Sequence, residues 1–192
     1  LERNLTTAEI VEQVLWAEEA FGHKINSLVF MGMGEPLANF SHLVQALQIL
    51  RSPMGLNFGA RHVTVSTTGL VPQIQMLAES APKVNLAISL HAADDETRKK
   101  LLPKSSVWSI KDLLKSAWDY QRVTGRGRVT FEYILIKGVN DSEREAQRLA
   151  NLLLAKKAWV NLIAYNPVAG VPYESPTEQF MRAVAKVLTD RG

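Results

Sequence analysis

The chain has 192 residues, of which 46% are hydrophobic and 21% charged, a composition that can bury a substantial core as one domain or as most of a larger one. Its net charge of +3 and pI near 9.2 permit an anionic partner without demanding one. Cysteine is absent, which removes disulfides, thiolate nucleophiles and any thiolate-held metal centre from this polypeptide, and no apolar run reaches the length that crosses a bilayer.

The opening LERNLTTAEI has neither an initiating Met nor the apolar core of a signal peptide, so a cytoplasmic location and a chain cut from a longer one are expected. Thr6 with Glu9 reads as a helix-starting capping box, and Ile10, Val11, Val14 and Leu15 form an apolar stripe behind it. The run Ser27 to Pro36, SLVFMGMGEP, then sends a short strand, Leu28 to Met31, into two glycines and a lone carboxylate. Glycine at a strand exit admits positive φ and lets a ligand approach the main chain. Both a tight turn with Glu35 solvated and a binding loop fit this run. A second amphipathic helix carries Leu43, Ala46, Leu47 and Leu50 on one face.

Four more β-rich runs follow, His62 to Ser66, Val84 to Leu90, Val129 to Ile136 and Val160 to Tyr165, each with a helical pattern behind it. Ser109 with Asp112, and Ser175 with Glu178 behind Pro176, read as further helix starts, and a last helix is expected over Thr177 to Arg191. Strand and helix alternating through short connectors predict an α/β fold with a parallel sheet, open or curled into a barrel. Because the chain opens and closes on a helix, a strand is expected before Leu1 and another after Gly192. Residues 1–192 read as an excised middle.

In such folds ligands bind at the carboxyl ends of the strands. The first exit offers Gly32, Gly34 and Glu35; the second Ser66, Thr67, Thr68 and Gly69; the third Ser89 and His91; the fourth Lys137 and Gly138; the fifth Asn166 before Pro167. In the third strand, Val84, Leu86, Ile88 and Leu90 share one face, and Asn85, Ala87, Ser89 and His91 the other. His91 fits either a satisfied core residue or a ligand contact. Glu132 fits either an inward-pointing site carboxylate or a core carboxylate satisfied by a neighbouring Lys or Arg.

HExxH, DxH, CxxC and Ser-His-Asp patterns are absent, and the four histidines do not cluster in sequence. The GxG of the first exit completes no GxGxxG, and no helix is expected tightly behind it, so it is no dinucleotide fingerprint. Two basic groups, Arg98, Lys99, Lys100 and Lys104, then Arg122, Arg126 and Arg128, flank one helical unit. They fit a solvated helix face or phosphate contacts to a nucleic acid.

Taken in order, MGMGEPLANF, HVTVSTTG, NLAISLHAADDETRKKLLP, VTFEYILIKGVND and VNLIAYNPV resemble the RlmN/Cfr family of radical S-adenosylmethionine RNA methyltransferases, over essentially the whole chain. RNLTTAEI resembles the segment behind that family's iron-sulfur loop. The resemblance implies a partial TIM-like (β/α) barrel with about five parallel strands, truncated at both ends. S-adenosylmethionine would lie across the strand exits beside a [4Fe-4S] cluster. Carried over by position, Gly34 and Glu35 would receive the methionine amino end. Ser66, Ser89, the Leu90 backbone and His91 would make further cofactor contacts, and Asn166 would add one from the last strand.

Members of that family methylate adenine C2 (RlmN type) or C8 (Cfr type) by radical chemistry through a methyl-cysteine. The implied partners are large-subunit rRNA, tRNA for RlmN-type enzymes, and an electron donor such as flavodoxin or ferredoxin; no membrane partner and no oligomer are expected. The cluster cysteines, the methyl-carrying cysteine and its partner are absent here, as is an RNA-binding accessory domain. An RlmN-type cofactor-binding core, inactive by itself, is the leading expectation. A C8-directed enzyme and a degenerate nucleotide- or RNA-binding domain are the alternatives.

Overall fold

A computed structural model describes residues 2–80, 83–104, 107–125, 128–154, 156 and 158–191. Five strands form one parallel sheet in sequence order: β1 (Leu28–Phe30), β2 (Val63–Thr67), β3 (Asn85–Ser89), β4 (Val129–Leu135) and β5 (Trp159–Ala164). Each lies within one or two residues of the run that alternation and β-branching picked out. The sheet is not closed, so β1 and β5 are its edges.

Among the described residues seven α-helices connect and flank the strands: α1 (Thr7–Phe21), α2 (Phe40–Arg51), α3 (Val71–Ser80), α4 (Asp95–Leu101), α5 (Ile110–Thr124), α6 (Glu143–Leu153) and α7 (Glu178–Asp190). None of the described helices is long and apolar enough to cross a membrane. The capping box of Thr6 and Glu9 starts α1, and Ser109 caps α5 by accepting from the Asp112 amide. The last helix corrects its expected start. Thr177, not Ser175, is the cap, accepting from Phe180 N, because Pro176 holds the chain one step further out of the helix.

The core lies between the sheet and the helices. Val65, Leu86, Ile88, Phe131 and Tyr133 come from the strands; Leu43, Leu47, Leu50, Ile74, Leu77, Leu113 and Leu149 come from the helices. Of the first predicted stripe Val14 is buried and Ile10 and Val11 pack on the core, but Leu15 is 44% exposed, since α1 rests on α2 rather than on the sheet. The second stripe is wholly buried. Tyr120 of α5 donates its hydroxyl to Val84 O at 2.8 Å, which ties the helix layer to the entry of β3.

Register fixes what shares the other, open face. Ser66 pairs with Ala87 and Ala87 with Thr130; Ser89 pairs with Glu132 and Glu132 with Asn161. Because side chains alternate with period two, these residues form two ascending rows on one side of the sheet. Ala87, small and buried, stands between Ser66 and Thr130 in the first row.

Candidate functional site

At the exit of β1 the turn of Gly32 and Gly34 has φ of 136° and 100°, a region where a Cβ is strained. A 3-10 turn, Pro36–Asn39, then starts immediately, contrary to expectation, and α2 follows it. Glu35 explains the tight start, because its Oε1 accepts from Leu37 N at 3.0 Å and caps the turn. Its Oε2 accepts from both the backbone N and the hydroxyl of Thr68, each at 2.7 Å. The half-buried carboxylate therefore clamps the β1 exit to the β2 exit, so the reading of Glu35 as merely solvated is overturned.

Arg98 is the largest departure from the sequence reading. Expected on a solvated or phosphate-facing surface, it is 1% exposed and lies beneath the loops. Its Nη2 donates to Thr68 O at 2.5 Å and Ser89 O at 3.3 Å, joining the exits of β2 and β3. Burial pushes its pKa down, countered by the charge of Asp95. Gly69 makes room: a Cβ there would lie 2.8 Å from Leu113 Cδ1 and 3.3 Å from Arg98 Nη2. The other described members of the two basic groups are exposed, with Lys100 paired to Glu96, Arg122 to Asp119, and Arg128 stacked 5.4 Å over Trp159. Arg126 lies outside the described residues.

The exit of β3 turns sharply at His91, which is buried with φ of 57°. A non-glycine residue held there is a strained position that its surroundings must enforce. Asn140 does so from the GVND turn: its Nδ2 donates to His91 O at 2.8 Å and Ile134 O at 2.7 Å, and its Oδ1 accepts from Ile136 N at 2.8 Å. The His91 ring accepts on Nδ1 from Ile134 N at 3.2 Å. Burial, then the nearby Arg98 charge, pull its pKa down to about 4 against a smaller opposing hydrogen bond to the Glu132 backbone oxygen. His91 is thus neutral with its proton on Nε2, a donor without charge.

Ser66 is buried and Ser89 half-buried on the open face, the latter level with Glu132. Leu90 is buried and donates its amide to Glu132 O at 3.0 Å. Glu132 does face inward, but its partner is the Asn161 amide at 2.7 Å, not a lysine or arginine. Lys137 is tied outward to Glu174 at 2.6 Å. Asn166, at the exit of the edge strand, is exposed. The structure thus brings Glu35, Ser66, Ser89 and His91 onto adjoining strands, with Gly34 and Asn166 at the two margins. The tying roles of Arg98 and Asn140 are not visible in the local sequence. An arginine two turns after SLHA and an asparagine in GVND look like ordinary surface polar residues until their burial is known.

Beside β1 lies a cavity of about 880 Å³ lined by Ile10, Val14, Leu28, Phe30, Met31 and Gly34. It takes residues from both faces of β1, as expected for an uncovered sheet edge.

The group most directly testable against this donor set is an iron-sulfur cluster, and the chain does not fit it. No cysteine is present, and among the described residues no group of three His, Asp or Glu could hold a metal. A nucleoside bearing an amino acid fits better, since the open face offers a glycine-lined main chain, a neutral imidazole donor, hydroxyls and a carboxylate with no cation partner among the described residues.

A five-stranded parallel sheet with polar carboxyl ends is an incomplete α/β barrel, and residues 1–150 match the family model of the radical SAM superfamily. The fold agrees with that of a radical SAM methyltransferase from Sphaerobacter thermophilus at a TM-score of 0.93 and 43% identity, over 100% of this chain and 57% of that one. Relatives named "Probable dual-specificity RNA methyltransferase RlmN" are 45% identical in Symbiobacterium thermophilum and 48% in Frankia alni, each across 100% of this chain and 52% and 48% of theirs. The chain belongs to the radical SAM superfamily. It spans about half the length of the curated relatives it matches.

Proposed function

We propose that this chain is the S-adenosylmethionine-binding core of an enzyme that methylates C2 of a specific adenosine in 23S rRNA, and an adenosine in tRNA, through a methyl-cysteine. The observation that carries this reading is the match along the entire chain to RlmN-named relatives at 45% identity. The polar strand exits on one open face support it. S-adenosylmethionine, when bound, supplies the methyl group and the radical precursor; the [4Fe-4S] cluster that would cleave it takes its ligands from cysteines that this chain lacks.

The chain's own residues bind and orient. Gly34 leaves the main chain open to the amino acid end of the cofactor, and Glu35, already fixed by three donors, keeps lone-pair capacity for an ammonium. Ser66, Ser89, the Leu90 backbone and His91 line the floor and the central exit. His91 offers Nε2–H without placing a second positive charge beside a cationic ligand. Asn166 closes the site from the β5 side. Rim lysines and arginines supply phosphate contacts for RNA, and a flavodoxin or ferredoxin supplies electrons.

The test uses the complete protein with its cluster reconstituted, incubated with unmodified 23S rRNA and tRNA. Mass spectrometry of the digested nucleosides is expected to show 2-methyladenosine in both. Methylation at C8 assigns the sister activity, and a reconstituted protein that modifies neither RNA leaves only a non-catalytic binding role.

A further inference from the structure

At the end of the sheet where the strands begin, opposite the exits, basic side chains gather around the entry of β3. Arg51 closes α2, the helix that carries the chain from the β1 exit back to the β2 entry. Arg61 comes just before β2, Lys83 just before β3 and Arg128 directly before β4. Hydrogen bonds converge on this entry: Asn85 donates its side-chain amide to Arg61 O, and Leu86 N donates to Arg128 O, both at 2.9 Å. Tyr120, whose hydroxyl holds Val84 O at 2.8 Å, lies within reach of the Arg51 charge. Arg51, Arg61 and Arg128 therefore surround Lys83 and the first residues of β3.

Among the described residues no carboxylate forms an ion pair with Arg51, Arg61, Lys83 or Arg128. Arg61, Lys83 and Arg128 are exposed, and water satisfies them. Arg51 differs: it is half-buried, and its Nε is buried with no hydrogen-bond partner among the described residues. Burial pushes its pKa down, opposed by Tyr120, yet a guanidinium stays charged at neutral pH. A buried donor left open costs free energy that a bound anion recovers. Arginine presents its donors as a planar fork that fits phosphate oxygens. On the β5 side Arg128 stacks 5.4 Å over Trp159, which is 61% exposed. An indole this open beside cations suits the bases and phosphates of a nucleic acid better than an acidic protein surface.

We propose that the strand-entry end, anchored by Arg51 and extended by Arg61, Lys83 and Arg128, is a phosphate-contacting surface for the backbone of the substrate RNA. This rests on the proposed function, which makes the partner an RNA and puts the chemistry at the strand exits. Five residues of strand rise about 17 Å, so the RNA groups held here lie well outside the nucleotide that meets the exits, and the RNA must be long enough to pass round the domain. A redox protein with an acidic face is the competing partner, but an electron donor has to approach the exits, beside which the cluster would lie. The surface supplies affinity and orientation and reads no base.

The experiment measures affinities of the complete, cluster-reconstituted protein for unmodified 23S rRNA and tRNA transcripts, a short adenosine-containing hairpin and S-adenosylmethionine. Arg61→Gln combined with Lys83→Gln alters exposed side chains alone. Affinity of this pair for at least one long RNA is expected to fall about tenfold, and the slope of log affinity against log salt to become shallower by about two. The hairpin and S-adenosylmethionine should bind within twofold of wild type. Arg51→Gln is expected to lower the same long-RNA affinity about fivefold, and if it does not fold the exposed pair decides alone. Affinities of the pair within twofold of wild type for both long RNAs overturn the proposal. An equal fall for the hairpin also overturns it, because the contact then belongs to the exits. Weaker turnover with flavodoxin at unchanged RNA affinity overturns it in favour of an acidic protein. Wild-type protein that binds the long RNAs but methylates neither fails the proposed function, and the affinities of the variants still decide the surface.

Discussion

The three central strand exits and the two outer ones are built differently. At β2, β3 and β4, Arg98, Asn140 and the His91 ring, with Glu35 reaching in from the β1 exit, tie one loop to the next through bonds of 2.5 to 3.3 Å. At the edges, Met33 is 90% exposed and Asn166 lies in solvent. The centre is preorganised by the chain itself. Each margin has a neighbour on one side alone, so its geometry is completed by whatever binds or pairs there.

The sharpest way to break this contrast is Arg98→Ala, which withdraws a buried cation from two backbone carbonyls and leaves a void. A loss of about 4 kcal/mol in stability is expected by chemical denaturation of the complete protein. Acid is next. The pKa of His91 is near 4 in the folded chain and 6.5 as its ordinary value, so between those pH values the unfolded chain holds a proton that the folded chain does not. Stability attributable to this group is whole above pH 6.5 and falls as pH drops to 4, by about 3 kcal/mol in total. A His91→Asn variant, tolerant of the left-handed backbone, should show a flatter acid limb in thermal melts. Asn140→Ala removes three hydrogen bonds and frees the His91 turn; a loss of about 2 kcal/mol and faster amide exchange at Ile136 are expected. Asn166→Ala, at the margin, should shift stability by less than about 0.5 kcal/mol while weakening S-adenosylmethionine binding. A large stability change there would show that the edge is locked as firmly as the centre.

Some of this architecture was legible and some was not. The five strands followed from period-two runs bounded by glycine and polar residues, because side-chain alternation is a local property of extended chain. The places of Gly34, Ser66, Ser89 and His91 at strand exits were legible. What Glu35 does was not, since the amide and hydroxyl it binds lie 33 residues away at Thr68. Ser175 failed as a cap for a smaller reason: two hydroxyl residues flank Pro176, and backbone geometry chose Thr177.

By itself the sequence determined the alternation of elements, the parallel α/β class, the polar exits and the lack of thiolate ligands, all readable from local spacing and residue type. Only tertiary structure decided that Arg98 is an internal tie and not a phosphate contact, that Asn140 enforces the His91 turn, and that Glu132 is left on the open face without a cation. These depend on which loops meet above a twisted sheet. Burial and hydrogen-bond partners are fixed by contacts between residues far apart in the chain, and no short stretch of sequence contains them.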